Sequence, residues 1–158
     1  MVADPAQRKE TMVPYQVLPV PDQLTEPFWE AAKRGRLAIQ QCQNCQRLHH
    51  PPVHYCMSCH DPEPKFEFAE LSGRGTVYSH YIHYDSDIAA FKEHVPYPVV
   101  TVELDEQPGL MLVTNILGCD YDAIRAGMAV EVVFEEASEE ISMPQFRPRS
   151  DAGSSEGA

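Results

Sequence analysis

Residues 42–59 read CQNCQRLHHPPVHYCMSC, two Cys-x-x-Cys turns with ten residues between them. Such a turn aims two sulfurs at one centre, and two of them supply the four soft thiolates that tetrahedral zinc takes. No other stretch limits the fold as tightly, because Cys42, Cys45, Cys56 and Cys59 have to converge from opposite ends of a short loop. The flanking RLAIQQ and KFEFAEL read as the short strands that bracket such a loop. With all four positions filled by Cys there is no open place for water or substrate, so the zinc is expected to be structural.

Other uses of these cysteines fit less well. A thioredoxin-like site wants one Cys-x-x-Cys at a helix start inside a βαβ unit, and no such unit is readable here. Disulfides belong to oxidising compartments. The opening MVADPAQRKETMVPYQV has neither a signal-peptide apolar core nor an Arg-rich, acid-poor character, which makes the cytoplasm the expected location. Iron is the closer competitor, since rubredoxin-type sites use the same four thiolates; zinc is favoured, and colour separates the two. His49, His50, His54 and His60 crowd the loop. With four thiolates at hand they are expected to serve as surface groups or hydrogen-bonders rather than ligands. Cys119 has neither base nor oxyanion hole nearby and reads as an idle or buried thiol.

The remainder is organised as follows. Residues 1–24 form an extended arm spaced by Pro14, Pro19 and Pro21. Residues 25–69 hold a short helix, with Thr25 as N-cap and Gly35 at C′, followed by the ribbon. Residues 70–148 alternate with period two in five runs: GTVYSHYIHY, YPVVTVEL, GLMLVTNIL, GMAVEVVFEEA and EISMPQF. Between the third and fourth, CDYDAIRAG reads as one or two helical turns capped by Asp120 and stopped by Gly127. Five strands with a helix in that place is the order of an OB-fold. The fold class is therefore mainly β, an N-terminal helix and zinc ribbon followed by a five-stranded OB-fold barrel, with a polar tail over 149–158. At 158 residues, 43% hydrophobic, the chain can bury one ordinary core or two small ones, and no window offers the roughly eighteen apolar residues of a membrane span.

Charge narrows the partners. Residues 1–69 carry 7 basic and 8 acidic side chains, whereas residues 70–149 carry 5 and 14, a net −9. Such a barrel repels a phosphate backbone at long range. Its first strand has aromatics at Tyr78, Tyr81 and Tyr84 but no interleaved Lys or Arg, which argues against nucleic acid. The long segment DSDIAAFKEHVPYP brings Phe91 and Tyr97, and Phe28 and Trp29 adjoin on the helix. Together these offer apolar surface for a protein partner.

PFWEAAKRGRLAIQQCQNCQRLHHPP, CMSC, GTVYSHYIHY, YPVVTVELDE, GLMLVTNI, IRAGMAVEVVFE and FRP, in this order over residues 19–148, resemble the family that joins a rubredoxin-like zinc ribbon to an OB-fold. That family was long catalogued as a domain of unknown function and is associated with acyl-CoA metabolism. The sequence departs from it at Gln46 and His60, where Gly often follows the second Cys of each knuckle. A less relaxed knuckle is expected there. The resemblance implies a non-catalytic companion subunit of a thiolase-fold enzyme, an acyltransferase or a steroid side-chain retro-aldolase, or else of a hot-dog-fold enoyl-CoA hydratase. Under it, Lys33, Arg34 and Arg36 become candidates for the phosphates of a coenzyme A thioester, against the plainer reading of cations complementing a helix C-terminus. Nucleic-acid binding and rubredoxin-like electron transfer stand as the alternatives, opposed by charge and decided by colour respectively.

Overall fold

The computed structural model describes residues 17–150; residues 1–16 of the expected arm and 151–158 of the expected tail lie outside the described residues. Helix α1 spans Glu26–Lys33, with Pro27 in its first turn. Its start differs from the expected Thr25 cap. Thr25 holds the N-cap position but makes no side-chain cap bond. Its αR backbone continues a turn that begins at Asp22, so its hydroxyl faces back and donates to Asp22 Oδ1 at 2.7 Å. Asp22 closes the turn by accepting the N–H of Thr25 and Leu24, and the Thr25 hydrogen bond holds its carboxyl below the usual range. The C-terminus is as expected: Gly35 has φ +71, its N–H reaches Ala32 C=O, and Arg36 N–H reaches Ala31 C=O. That is a Schellman ending, which needs a residue free to take positive φ.

Strands β1 (Ala38–Cys42), β2 (Leu48–His49) and β3 (Phe66–Glu70) form a small antiparallel sheet in the order β2-β1-β3. The second sheet contains β4 (Arg74–His83), β5 (Tyr97–Leu104), β6 (Met111–Thr114), β7 (Ala129–Glu136) and β8 (Ser142–Pro148) in the order β6-β5-β4-β7-β8. It curls until its ends meet. Ile116 bridges Phe146 in parallel, Phe146 N–H donates to Asn115 C=O at 3.0 Å, and Leu117 N–H donates to Phe146 C=O at 2.8 Å. This is the OB-fold order, with a single 3-10 turn at Tyr121–Ala123 between β6 and β7. The third run is shorter than its sequence suggests, because beyond Thr114 the chain leaves β5 to close on β8.

Burial along β5 alternates without a break, placing Pro98, Val100, Val102 and Leu104 inside. The core is one cluster, in which Phe28, Leu37, Ile39 and Leu48 from the helix and ribbon join Val77, Val130 and Phe146 from the barrel. The Gln107 side chain ties the same halves together, its Oε1 accepting Leu48 N–H at 2.8 Å and its Nε2 donating to Leu48 C=O at 3.0 Å. One amide thus serves as an extra strand position beside β2.

Gly75 sits in β4 directly against β5. A Cβ there would lie 2.6 Å from Glu103 C=O oxygen and 2.6 Å from Val102 Cγ1. Neither can retreat, one being backbone and the other core. Gly75→Ala is expected to cost about 2–3 kcal/mol, read as a drop in the midpoint of chemical unfolding; an unchanged midpoint would show that the barrel yields there.

Candidate metal centre and exposed surfaces

Each knuckle is a backbone turn that ends in positive φ. Gln46 N–H donates to Cys42 C=O at 2.8 Å with φ 63, and His60 N–H donates to Cys56 C=O at 3.1 Å with φ 54. Both positions where glycine would be relaxed are therefore left-handed, as expected from the sequence. The four Sγ atoms all lie within 4.8 Å of one another. Cys42 and Cys59 are 3.8 Å apart and Cys45 and Cys56 3.5 Å. A tetrahedral zinc with Zn–S bonds near 2.3 Å requires sulfurs about 3.8 Å apart, so the set fits the ion. These distances are far too long for S–S bonds, and all four thiols are free.

Burial works against the Cys56 thiolate but is outweighed by the N–H groups of Cys59 and Ser58 and by the thiols of Cys45 and Cys59, so it is held down to about 5. At Cys45 the Arg47 N–H pulls downward, yet burial and the three neighbouring thiols prevail and push it up to about 12. One sulfur thus ionises readily and another resists, a conflict that a dication between them removes.

His49 Nε2 lies 3.4 Å from Cys56 Sγ, with its ring edge-on to Phe66, so it supports a ligand rather than acting as one. His54 and His60 face solvent. His50 packs on the Phe28 ring with centroids 5.3 Å apart, and burial holds its pKa below the ordinary histidine value. Below about 6.5 the unfolded chain takes this proton while His50 in the fold stays neutral, so the stability is full above that pH and is lost as pH falls toward the lowered folded value. Between pH 7.5 and 5.5, His50→Gln is expected to lose less melting temperature than the wild type; acid protonation of the thiolates affects both and cancels in the difference. Equal losses would show that His50 does not titrate against folding.

A second amide clamp, invisible in the sequence, positions the loop between the knuckles. Gln40, 2% exposed, donates through Nε2 to Val53 C=O at 3.0 Å and accepts Val53 N–H at 2.8 Å. The only readable signal was a pair of glutamines between the apolar Ile39 and Cys42, with nothing to say which of the two faces inward.

The other candidate residues separate. Phe28 is 7% exposed and sits inside with Ala31 and Ala32, at the i, i+3, i+4 spacing of the helix's buried face. Its ring serves this chain's own core. Trp29 is half-buried, edge-on to Phe28 at 5.0 Å. Lys33, Arg34 and Arg36 are exposed. Arg36 is engaged, with its Nη1 at 2.7 and 2.8 Å from the two Glu70 carboxylate oxygens, and Arg34 lies 3.9 Å from Glu30. Phe91 and Tyr97 come together at 6.0 Å, and Tyr97 meets His83 at 5.2 Å. Cys119 Sγ lies 3.4 Å from Asp120 C=O. Among the described residues, the four ribbon cysteines are the only group of three or more His, Cys, Asp or Glu whose ligand atoms converge, and no helix is long and apolar enough to cross a membrane.

Residues 29–65 match the family model described as the ChsH2 rubredoxin-like zinc ribbon domain, and residues 69–135 match that of the ChsH2 C-terminal OB-fold domain. The chain is 42% identical over 122 residues to the probable enoyl-CoA hydratase alpha subunit of Thermomonospora curvata, a match covering 77% of this chain but 36% of that protein. It spans little more than a third of that relative. It is 32% identical over 108 residues to a DUF35 domain-containing scaffold protein of Methanothermobacter thermautotrophicus, covering 68% of this chain and 78% of the relative. Among solved structures, a chain of the Ltp2-ChsH2(DUF35) aldolase superposes with a TM-score of 0.72 at 38% identity, over 83% of this chain and 98% of that one.

Proposed function

The chain belongs to the ChsH2-type DUF35 family of zinc-ribbon and OB-fold proteins, and from that premise we propose that it is a non-catalytic subunit of a thiolase-fold acyl-CoA enzyme, of acyltransferase or side-chain-cleaving aldolase type. The observation that carries this reading is the similarity to nearly the full length of a chain in an aldolase complex. The four-thiolate centre supports it: a closed site holds a fold and offers no position for substrate. Trp29, Phe91 and Tyr97 are the aromatic residues proposed to meet the partner, with Phe28 bracing Trp29 from inside. Lys33 and Arg34 are proposed to reach coenzyme A phosphates. Arg36 would have to leave Glu70 first, an exposed pair whose loss costs little.

A second reading, a subunit of a hot-dog-fold enoyl-CoA hydratase, is favoured by the 42% identity to a hydratase alpha subunit. That protein is far longer than the region matched, so its named activity does not bear on this region alone. The test is to purify the chain from its source in native buffer and identify what co-elutes. A thiolase-fold enzyme supports the first reading, a hydratase the second, and an unaccompanied monomer overturns both.

The zinc-ribbon and OB-fold architecture also invites a nucleic-acid reading, which the −9 of residues 70–149 opposes. Single-stranded DNA is expected to bind only weakly at physiological salt, with no sub-micromolar affinity in a fluorescence titration. Tight binding with a steep salt slope would promote the nucleic-acid function.

A further inference from the structure

The first barrel strand is longer than its neighbour. β7 pairs with β4 only over Arg74–Thr76, and their last hydrogen bonds are Val77 N–H to Met128 C=O and Gly127 N–H to Val77 C=O. Beyond a bulge at Tyr78, β4 continues to His83 with β5 alone beside it. The direction of the unpaired groups follows from β5. Asp105 N–H donates to Arg74 C=O while Leu104 N–H donates to Leu110 C=O, so odd-numbered residues of β5 face β4 and even-numbered ones face β6. Thr101, Val99 and Tyr97 therefore bond Ser79, Tyr81 and His83. The N–H and C=O of His80 and Ile82 point to the side that β7 has left, and Pro98, which lacks an N–H, stands opposite Ile82 in keeping with this phase.

An open edge of this kind invites another strand unless it is blunted by lysine, proline or a cover. Ser79–His83 holds neither lysine nor proline, and among the described residues no strand pairs with β4 there on the β7 side. The surroundings are aromatic, with Tyr78 61%, Tyr81 57%, Tyr84 75% and Ile88 56% exposed. The connection between β4 and β5 sets the charge: Asp85, Asp87 and Glu93 against Lys92. A second copy would bring the same acids to a two-fold contact, and like charges there oppose it.

We infer that the free edge of β4 at His80 and Ile82 is a docking site for a strand of the acyl-CoA enzyme subunit, apolar where it meets Tyr81 and flanked by Lys or Arg. Main-chain bonds to the edge supply affinity, and contacts with Tyr81 and the acidic loop select the partner. The inference rests on the companion-subunit reading and adds to it the surface and the mode of contact.

The test uses the full chain and the enzyme subunit with which it co-purifies. His80→Pro removes an edge N–H and places a ring in the path of an added strand, while leaving the β5 ladder intact because that N–H takes no part in it. Tyr81→Ala removes the exposed ring without touching the backbone. Each variant is expected to raise the dissociation constant at least about 100-fold, with zinc content unchanged. In amide exchange, His80 and Ile82 are expected to exchange freely in the isolated chain and to be protected in the complex. Wild-type affinity in both variants, or protection of these amides already in the isolated chain, would overturn the inference while leaving the companion role standing. A wild-type chain that binds no acyl-CoA enzyme subunit would remove both. Should His80→Pro fail to fold, Tyr81→Ala and the exchange measurement still decide.

Discussion

Cys56→Ser is expected to yield a chain without stoichiometric zinc and without a cooperative melting transition. Cys56 is 2% exposed with its Sγ 3.5 Å from Cys45, so its replacement leaves three thiolates at the centre. His49, 3.4 Å from that Sγ, would have to leave its edge-on packing against Phe66 to take the fourth place. A structural zinc contributes about 10 kcal/mol or more to folding, against a total domain stability of about 5–15 kcal/mol. The damage should not stop at the ribbon. Ile39 and Leu48 belong to the same core as Val77 and Phe146, and Gln107 binds the barrel hairpin to β2. Elemental analysis and circular dichroism melts of the wild type, Cys56→Ser and His54→Ala check this: the exposed His54 should be replaceable with no change in metal content. His49→Ala is expected to fall between them, with zinc affinity lowered about 10–100-fold. A Cys56→Ser protein that keeps its zinc and melts normally would refute the four-thiolate assignment.

The second large effect concerns activity. Acyl-CoA turnover, as carbon–carbon cleavage or condensation, is expected only when this chain and its enzyme partner are expressed together. Under the proposed companion role the nucleophile and acid–base groups lie on the partner; among the described residues, the converging His, Cys, Asp or Glu side chains are the four cysteines of the closed site. The partner alone should lose at least about 100-fold in turnover or be insoluble, since an interface above about 1,000 Å² covers apolar surface on both sides. A partner that is fully soluble and active alone would defeat the companion role. Turnover by this chain in isolation would defeat the non-catalytic one.

Much of the fold was legible because its determinants are local or periodic. Cys-x-x-Cys turns announce a metal site, the Gly35 ending is a property of one residue, and β5 alternates so regularly that its buried face can be read letter by letter. What escaped depends on tertiary contact. Nothing in a Gln reveals that Gln40 would clamp Val53 or Gln107 clamp Leu48, because each is paired with backbone distant in sequence. The Thr25 cap failed because Asp22, three residues earlier, engages the Thr25 hydroxyl, while Phe28 N–H, which a cap would have held, goes to Thr25 C=O. In the sequence Phe28 and Trp29 both read as partner surface; the helical angle between neighbours puts Phe28 inside and leaves Trp29 half-exposed. Strand period identified β4 but could not show that β7 stops short of its end, since strand overlap is set by where the connections lie.

Native mass spectrometry of the chain co-expressed with the enzyme subunit it co-purifies with tests the central claim most directly. The expected result is a heteromer of a colourless protein, with one zinc bound per copy of this chain. Subunits that appear only separately, or copies of this chain carrying iron or no metal, would contradict it.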